Sequence, residues 1–116
     1  MKGANFFSLH ELFDKLAGEL LGHVDTIAER VTTLGGMASG TARMTASGSR
    51  LPEYPEIAEG RASVEGLVER YAQLAASTRA AISSADELSD ANTADLLTGL
   101  SRDLDKSLWF LEAHLE

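Results

Sequence analysis

The chain has 116 residues, 44% of them hydrophobic, and ten Lys and Arg against eighteen Asp and Glu give a net charge of −8. That size allows one domain with a modest core, and the composition excludes wholesale disorder. The acidic balance argues against a phosphate-neutralising nucleic-acid surface and suits a cationic partner, while the absence of cysteine excludes disulfides, thiolate metal sites and cysteine nucleophiles.

The first element is a helix expected from about Asn5 to Leu34, with Asn5 at its N-cap and Gly35-Gly36 as its stop. At about 100° per residue, Leu9, Leu12, Phe13, Leu16, Leu20, Val24, Ile27, Val31 and Leu34 form one apolar stripe. Residues 35–55 hold both prolines, Pro52 and Pro55, and a cluster of glycines, so they read as one long irregular crossover. Within it, Pro55 to Glu59 suggests a short helix with proline at its first position. A second long helix is expected from about Ala62 to Ser84 on Val64, Leu67, Val68, Tyr71, Leu74, Ala75 and Ile82. A third is expected from about Asp90 to Leu115, started by Asn92 or Thr93, with Leu97, Leu100, Leu104, Leu108 and Leu111 as its stripe. Strand and hairpin signals are absent. The long crossover lets the first two long helices run parallel. No apolar run approaches the ~20 residues of a membrane span, and no secretory h-region opens the chain, so a cytoplasmic location is expected and no membrane partner.

The polar side of the first helix carries the candidate chemistry. With His10 at zero, Asp14 lies at about 40°, Asp25 at about 60° and Glu29 at about 100°. The four form two pairs, His10/Asp14 and Asp25/Glu29, each with the spacing that puts two ligands on one face. Imidazole and carboxylate suit iron, manganese or zinc. The pairs are roughly 22 Å apart along the axis, so one chain cannot bring them to one ion. An antiparallel copy of the helix, related by a two-fold near residues 17–20, brings His10/Asp14 of one chain opposite Asp25/Glu29 of the other. Gly18 and Gly22 lie on or beside this arc, where they allow close backbone approach at a cost of about 1 kcal/mol each. A symmetric dimer with two composite sites follows. Taken alone, acids on a helix face also read as a solvated surface.

The same residues carry a family resemblance. Gly3 to Asp14 (GANFFSLHELFD), His23 to Arg30 (HVDTIAER) and Leu34-Gly35-Gly36 resemble the second helix of Dps-type miniferritins, which are ferritin-like proteins. Thr93 to Leu97 and Ser101 to Leu115 are similar to that family's last helix. The resemblance implies an all-α, ferritin-like four-helix bundle that assembles into a hollow homo-dodecamer. It implies Fe(II) oxidation at the dimer two-fold, with hydrogen peroxide as oxidant, Fe(III) stored as mineral inside, and protection of the cell from oxidative stress. His10 and Asp14 would come from one subunit, and Asp25 and Glu29 from the other. The family's first helix, ending in His-Trp-Asn, would precede Met1, and the family's other ligand histidine would lie twelve positions before His10. The chain therefore reads as a single ferritin-like domain, residues 1–116, without that first helix, leaving three long helices and a short crossover helix. The resemblance also implies that Asp90 and Asp95 line a three-fold pore that concentrates cations, whereas position alone reads them as capping and dipole residues. Without a basic tail, DNA is not an expected partner. The alternative from another class is a catalytically inactive helical fragment that only assembles with other subunits.

Overall fold

In the computed structural model, which describes residues 1–116, the chain folds into four helices and no strands. Helix α1 spans Phe6–Thr33, α2 Ala42–Gly48, α3 Gly60–Glu87 and α4 Ala91–Ala113. The element count agrees with the expectation, and so do the three long helices.

Each end has a local cause. Helix α1 begins after Asn5, whose side chain makes no cap bond; Ser8 Oγ donates to the Asn5 carbonyl instead. It ends in a reversed turn in which Gly36 N–H donates to Val31 O and Gly35 N–H to Thr32 O, with Gly35 at φ +87°. Helix α3 is capped by Glu59, whose carboxylate accepts from Arg61 and Ala62 N–H at 2.8 and 2.7 Å. These two backbone bonds hold the Glu59 carboxyl below its ordinary range. Helix α3 ends in the same turn as α1, with Asp90 N–H on Ala85 O and Ser89 N–H on Asp86 O. Here a serine takes the left-handed position, Ser89 at φ 57°.

That tight corner turns α4 back along α3, and these two helices make the main packing of the molecule. Val64, Tyr71 and Ala75 of α3 meet Leu100, Leu104 and Leu111 of α4 in one cluster. Desolvation, reinforced by the Glu19 charge, pushes the Tyr71 phenol up to about 12. Helix α1 lies antiparallel to α4, as the Arg30–Asp90 and His23–Asp103 ion pairs show. Its start lies beside the start of α3, where Lys2 N–H donates to Ala58 O. The expected parallel course of α1 and α3 is thereby found.

Three expectations are corrected. The short crossover helix lies at Ala42–Gly48, where Thr41 Oγ1 accepts from Met44 N–H, and not at residues 55–59. Proline disfavours helix in the residue before it, and Leu51 and Tyr54, which precede Pro52 and Pro55, lie outside any helix. Arg70 then holds this stretch against α3 through the carbonyls of Pro52 and Glu53. The last helix begins at Ala91, next to the expected Asp90, but its cap is Asp90 itself and not Asn92 or Thr93. Finally, the long stripe of α1 is not a core along its whole length. Only Leu9 and Leu16 are buried, while Val24, Ile27 and Leu34 remain exposed. Between α1 and α3 runs an open apolar groove lined by Phe13, Leu20, Ile57, Leu67 and Tyr71.

Candidate metal centre

Helix α1 places all four candidate ligands on its exposed side. His10 Nε2 lies 3.6 Å from Asp14 Oδ2, with the two side chains 55% and 73% exposed. Asp25 and Glu29 are exposed as well. Neither has an ion-pair partner, although acids elsewhere in the chain, such as Asp90, Asp103 and Glu65, are paired. Neither pair is engaged by α3 or α4, so both are open to cations, and the carboxylates are hard oxygen donors. No group of three His, Asp or Glu converges within the chain, so one chain offers two half-sites of two ligands each.

The surface between the half-sites is flat and bare. A Cβ added at Gly18 or Gly22 would meet nothing within 4 Å. Leu21 and Val24, at 70 and 64% exposure, flank this strip, and Phe7, at 69%, lies beyond His10.

The opposite, polar edge of α1 is fastened to α4. His23 Nε2 lies 3.2 Å from Asp103 Oδ2, and Ser107 Oγ donates to Glu19 Oε2 at 3.3 Å. Near the Asp25/Glu29 end, Arg30 Nε donates to Thr93 Oγ1 at 3.0 Å and its Nη2 to Asp90 Oδ1 at 3.2 Å. This clasp fixes the rotation of α1 about its axis, and so the direction in which Glu29 projects.

Asp90 is engaged three ways: its carboxylate accepts from Thr93 Oγ1, Thr93 N–H and Arg30. The Thr93 hydroxyl, then the Thr93 amide, then Arg30 hold it below the ordinary carboxylate range. Asp95, the other residue considered for a pore, is exposed one turn into α4. Trp109 is 61% exposed and packs on Phe110.

Sequence reasoning assigned no role to Phe6, which stacks on the His10 ring. The available signal was an aromatic four residues before a candidate ligand. It also passed over Glu59, because glutamate is not among the usual N-cap residues.

The ferritin-like domain model matches residues 1–116. A DNA protection during starvation protein of Agrobacterium fabrum is 47% identical over 117 residues, covering 100% of this chain and 72% of that protein. A protein of the same description from Brevibacillus brevis is 36% identical over 116 residues, covering 100% of this chain and 78% of its own. Among solved structures, a Dps protein from Bacillus brevis superposes with a TM-score of 0.94 at 36% identity, covering 99% of this chain and 77% of that one. A Dps protein from Vibrio cholerae O1, described as a member of a broad superfamily of ferritin-like diiron-carboxylate proteins, superposes with a TM-score of 0.94 at 28% identity over 100% of this chain and 73% of its own.

Proposed function

The chain belongs to the ferritin-like domain family, within its Dps group, and from that premise we propose that it binds Fe(II), oxidises it and stores the ferric product. The observation that carries this reading is the pair of half-sites on one open face of α1, His10/Asp14 and Asp25/Glu29, with Gly18 and Gly22 bare between them. A two-fold axis near residues 17–20 would bring His10 and Asp14 of one subunit against Asp25 and Glu29 of the next. Each composite site then offers one imidazole and three carboxylates. The anionic oxygens favour the harder ferric ion over the ferrous one, so the ligand set pulls the reaction towards oxidation. Hydrogen peroxide is the proposed oxidant. Two Fe(II) would give up one electron each to one hydrogen peroxide, the O–O bond would break, and with two protons taken up from solvent both oxygens would leave as water. Consuming Fe(II) together with peroxide removes both reactants of hydroxyl-radical formation, which is the proposed protection of cell and DNA.

Storage requires a closed shell, proposed here as a homo-dodecamer built from the two-fold dimers. In it Asp95, whose carboxylate is exposed, is the better of the two candidates for a cation path. Asp90 is already occupied by Arg30 and Thr93. With a net charge of −8, direct DNA binding is no part of this proposal. No helix is long and apolar enough to cross a membrane.

The test joins native mass to iron chemistry. Light scattering after size exclusion should give an even multiple of the chain mass. Fe(II) with peroxide should then yield ferric product at a rate that drops at least tenfold in Asp25→Ala/Glu29→Ala. An oligomer whose Fe(II) binding is untouched by that double change would leave an assembly protein without the oxidase. A strict monomer would overturn the composite site, because the half-sites could never meet.

A further inference from the structure

We propose, resting on the composite-site reading above, that Phe6 is a positioning residue that presets the His10 imidazole for metal. The two rings lie with centroids 5.6 Å apart and planes 7° from parallel. Phe6, His10 and Asp14 follow one another at intervals of four along a single line on α1. Helical side chains lean back towards the N-terminus, so the imidazole of His10 comes to rest over the turn that Phe6 occupies. In that position one face of His10 lies against the offset Phe6 ring, and the edge that carries Nε2 is turned to Asp14. At that edge Nε2 stands 3.6 Å from Asp14 Oδ2, as two ligands of one ion would stand.

The need for such a support comes from what His10 lacks. A metal-binding histidine is ordinarily oriented by a hydrogen bond from its second ring nitrogen to a carboxylate or carbonyl. His23 and His114 each have a close polar partner, on Asp103 and on the Phe110 carbonyl. The His10 ring has no hydrogen bond in the chain, and its side chain is 55% exposed. Unsupported, an exposed ring of this kind exchanges rotamers within nanoseconds, and binding would have to pay that lost freedom. The stack restricts the ring beforehand. Its own base is firm: Phe6 N–H donates to Gly3 O, Lys2 N–H to Ala58 O, and Leu9 in the same turn is buried against Gly60.

Two measurements decide this. In the metal-free protein with ring-labelled histidine, the carbon-bound ring protons of His10, assigned with His10→Ala, should lie upfield and lose that shift in Phe6→Leu. Co(II) binding, followed by its visible absorption, should weaken about three- to tenfold in Phe6→Leu and recover in Phe6→Tyr, in line with the strength of an aromatic stack. In a His10→Ala background, Phe6→Leu should change Co(II) affinity no further, which a merely structural role would not predict. If His10→Ala binds Co(II) like the wild type, the composite-site reading fails and this inference falls with it. If His10→Ala weakens binding and Phe6→Leu does not, only the role of Phe6 is refuted. Should Phe6→Leu alter the native mass, the ring-proton comparison decides, since it requires only a folded α1; an unshifted His10 spectrum in the wild type overturns the proposal.

Discussion

Leu16 and Leu21 stand five residues apart on α1 and face opposite ways, Leu16 at 3% exposure and Leu21 at 70%. Leu16→Ala removes one of only two α1 side chains that are buried. Burying a leucine is worth about 1.5–3 kcal/mol in transfer alone, and the cavity left behind raises Leu→Ala to roughly 2–5 kcal/mol. Leu16 also borders the apolar groove between α1 and α3. Neighbouring side chains can relax into the vacated space there, which puts the expected loss near the low end, about 2–3 kcal/mol. With a urea dependence of about 1.5 kcal/mol per molar for a chain of this size, the midpoint should fall by roughly 1–2 M. Leu21→Ala should leave the chain's own stability within about 0.5 kcal/mol and instead weaken self-association, because Leu21 flanks the glycine strip. Urea titrations over a range of protein concentrations separate the two effects, since only an association defect depends on concentration. A midpoint shift for Leu16→Ala no larger than that for Leu21→Ala at low concentration would refute the assignment of α1 faces.

The glycine strip makes a second contrast. Gly18→Leu and Gly22→Leu should each raise helix stability by about 0.8 kcal/mol, because nothing occupies the space, yet light scattering should show the dimer lost; an unchanged native mass would remove the two-fold from this face. Ser89→Gly should stabilise the chain by about 1 kcal/mol, since glycine carries no penalty at the left-handed corner between α3 and α4; a lower melting temperature would contradict that corner. The carboxyls of Glu59 and Asp90 are held below their ordinary values of 4.5 and 3.8. A depressed folded-state value means that the stabilisation is present above the unfolded value and is lost as pH falls through the folded one. Stability of the wild type should therefore drop below about pH 4.5 more steeply than that of Glu59→Gln/Asp90→Asn, and equal slopes in urea midpoints against pH would rule out capping by these two groups.

The sequence alone was enough for the three long helices, their apolar faces and the family. A repeat of three and four in Val64, Leu67, Val68 and Tyr71, or in Leu97, Leu100, Leu104, Leu108 and Leu111, is local information, and a helix is a local structure. The ligand spacing of His10/Asp14 and Asp25/Glu29 is local in the same sense. What covers a face is not local. The stripe on α1 reads as a uniform core from Leu9 to Leu34, yet only Leu9 and Leu16 of it are buried, while Val24 and Leu34 stay open. Periodicity reports that a face is apolar and is silent about its partner.

The same limit explains the crossover. Proline at the first position favoured a helix at 55–59, but Arg70 and Gln73 of α3 tie the carbonyls of Arg50, Pro52 and Glu53 to α3 from long range, and the helix forms where Thr41 can cap it. Asp90 was legible as an acid at a helix start, but its bond to Arg30, sixty residues away in the chain, exists only once α1 lies along α4. That contact adds a clasp to the cap that Asp90 already makes on Thr93. Tertiary structure thus decided which of the chemically suitable groups are already engaged, because hydrogen bonds and ion pairs consume ligands that composition and spacing leave free.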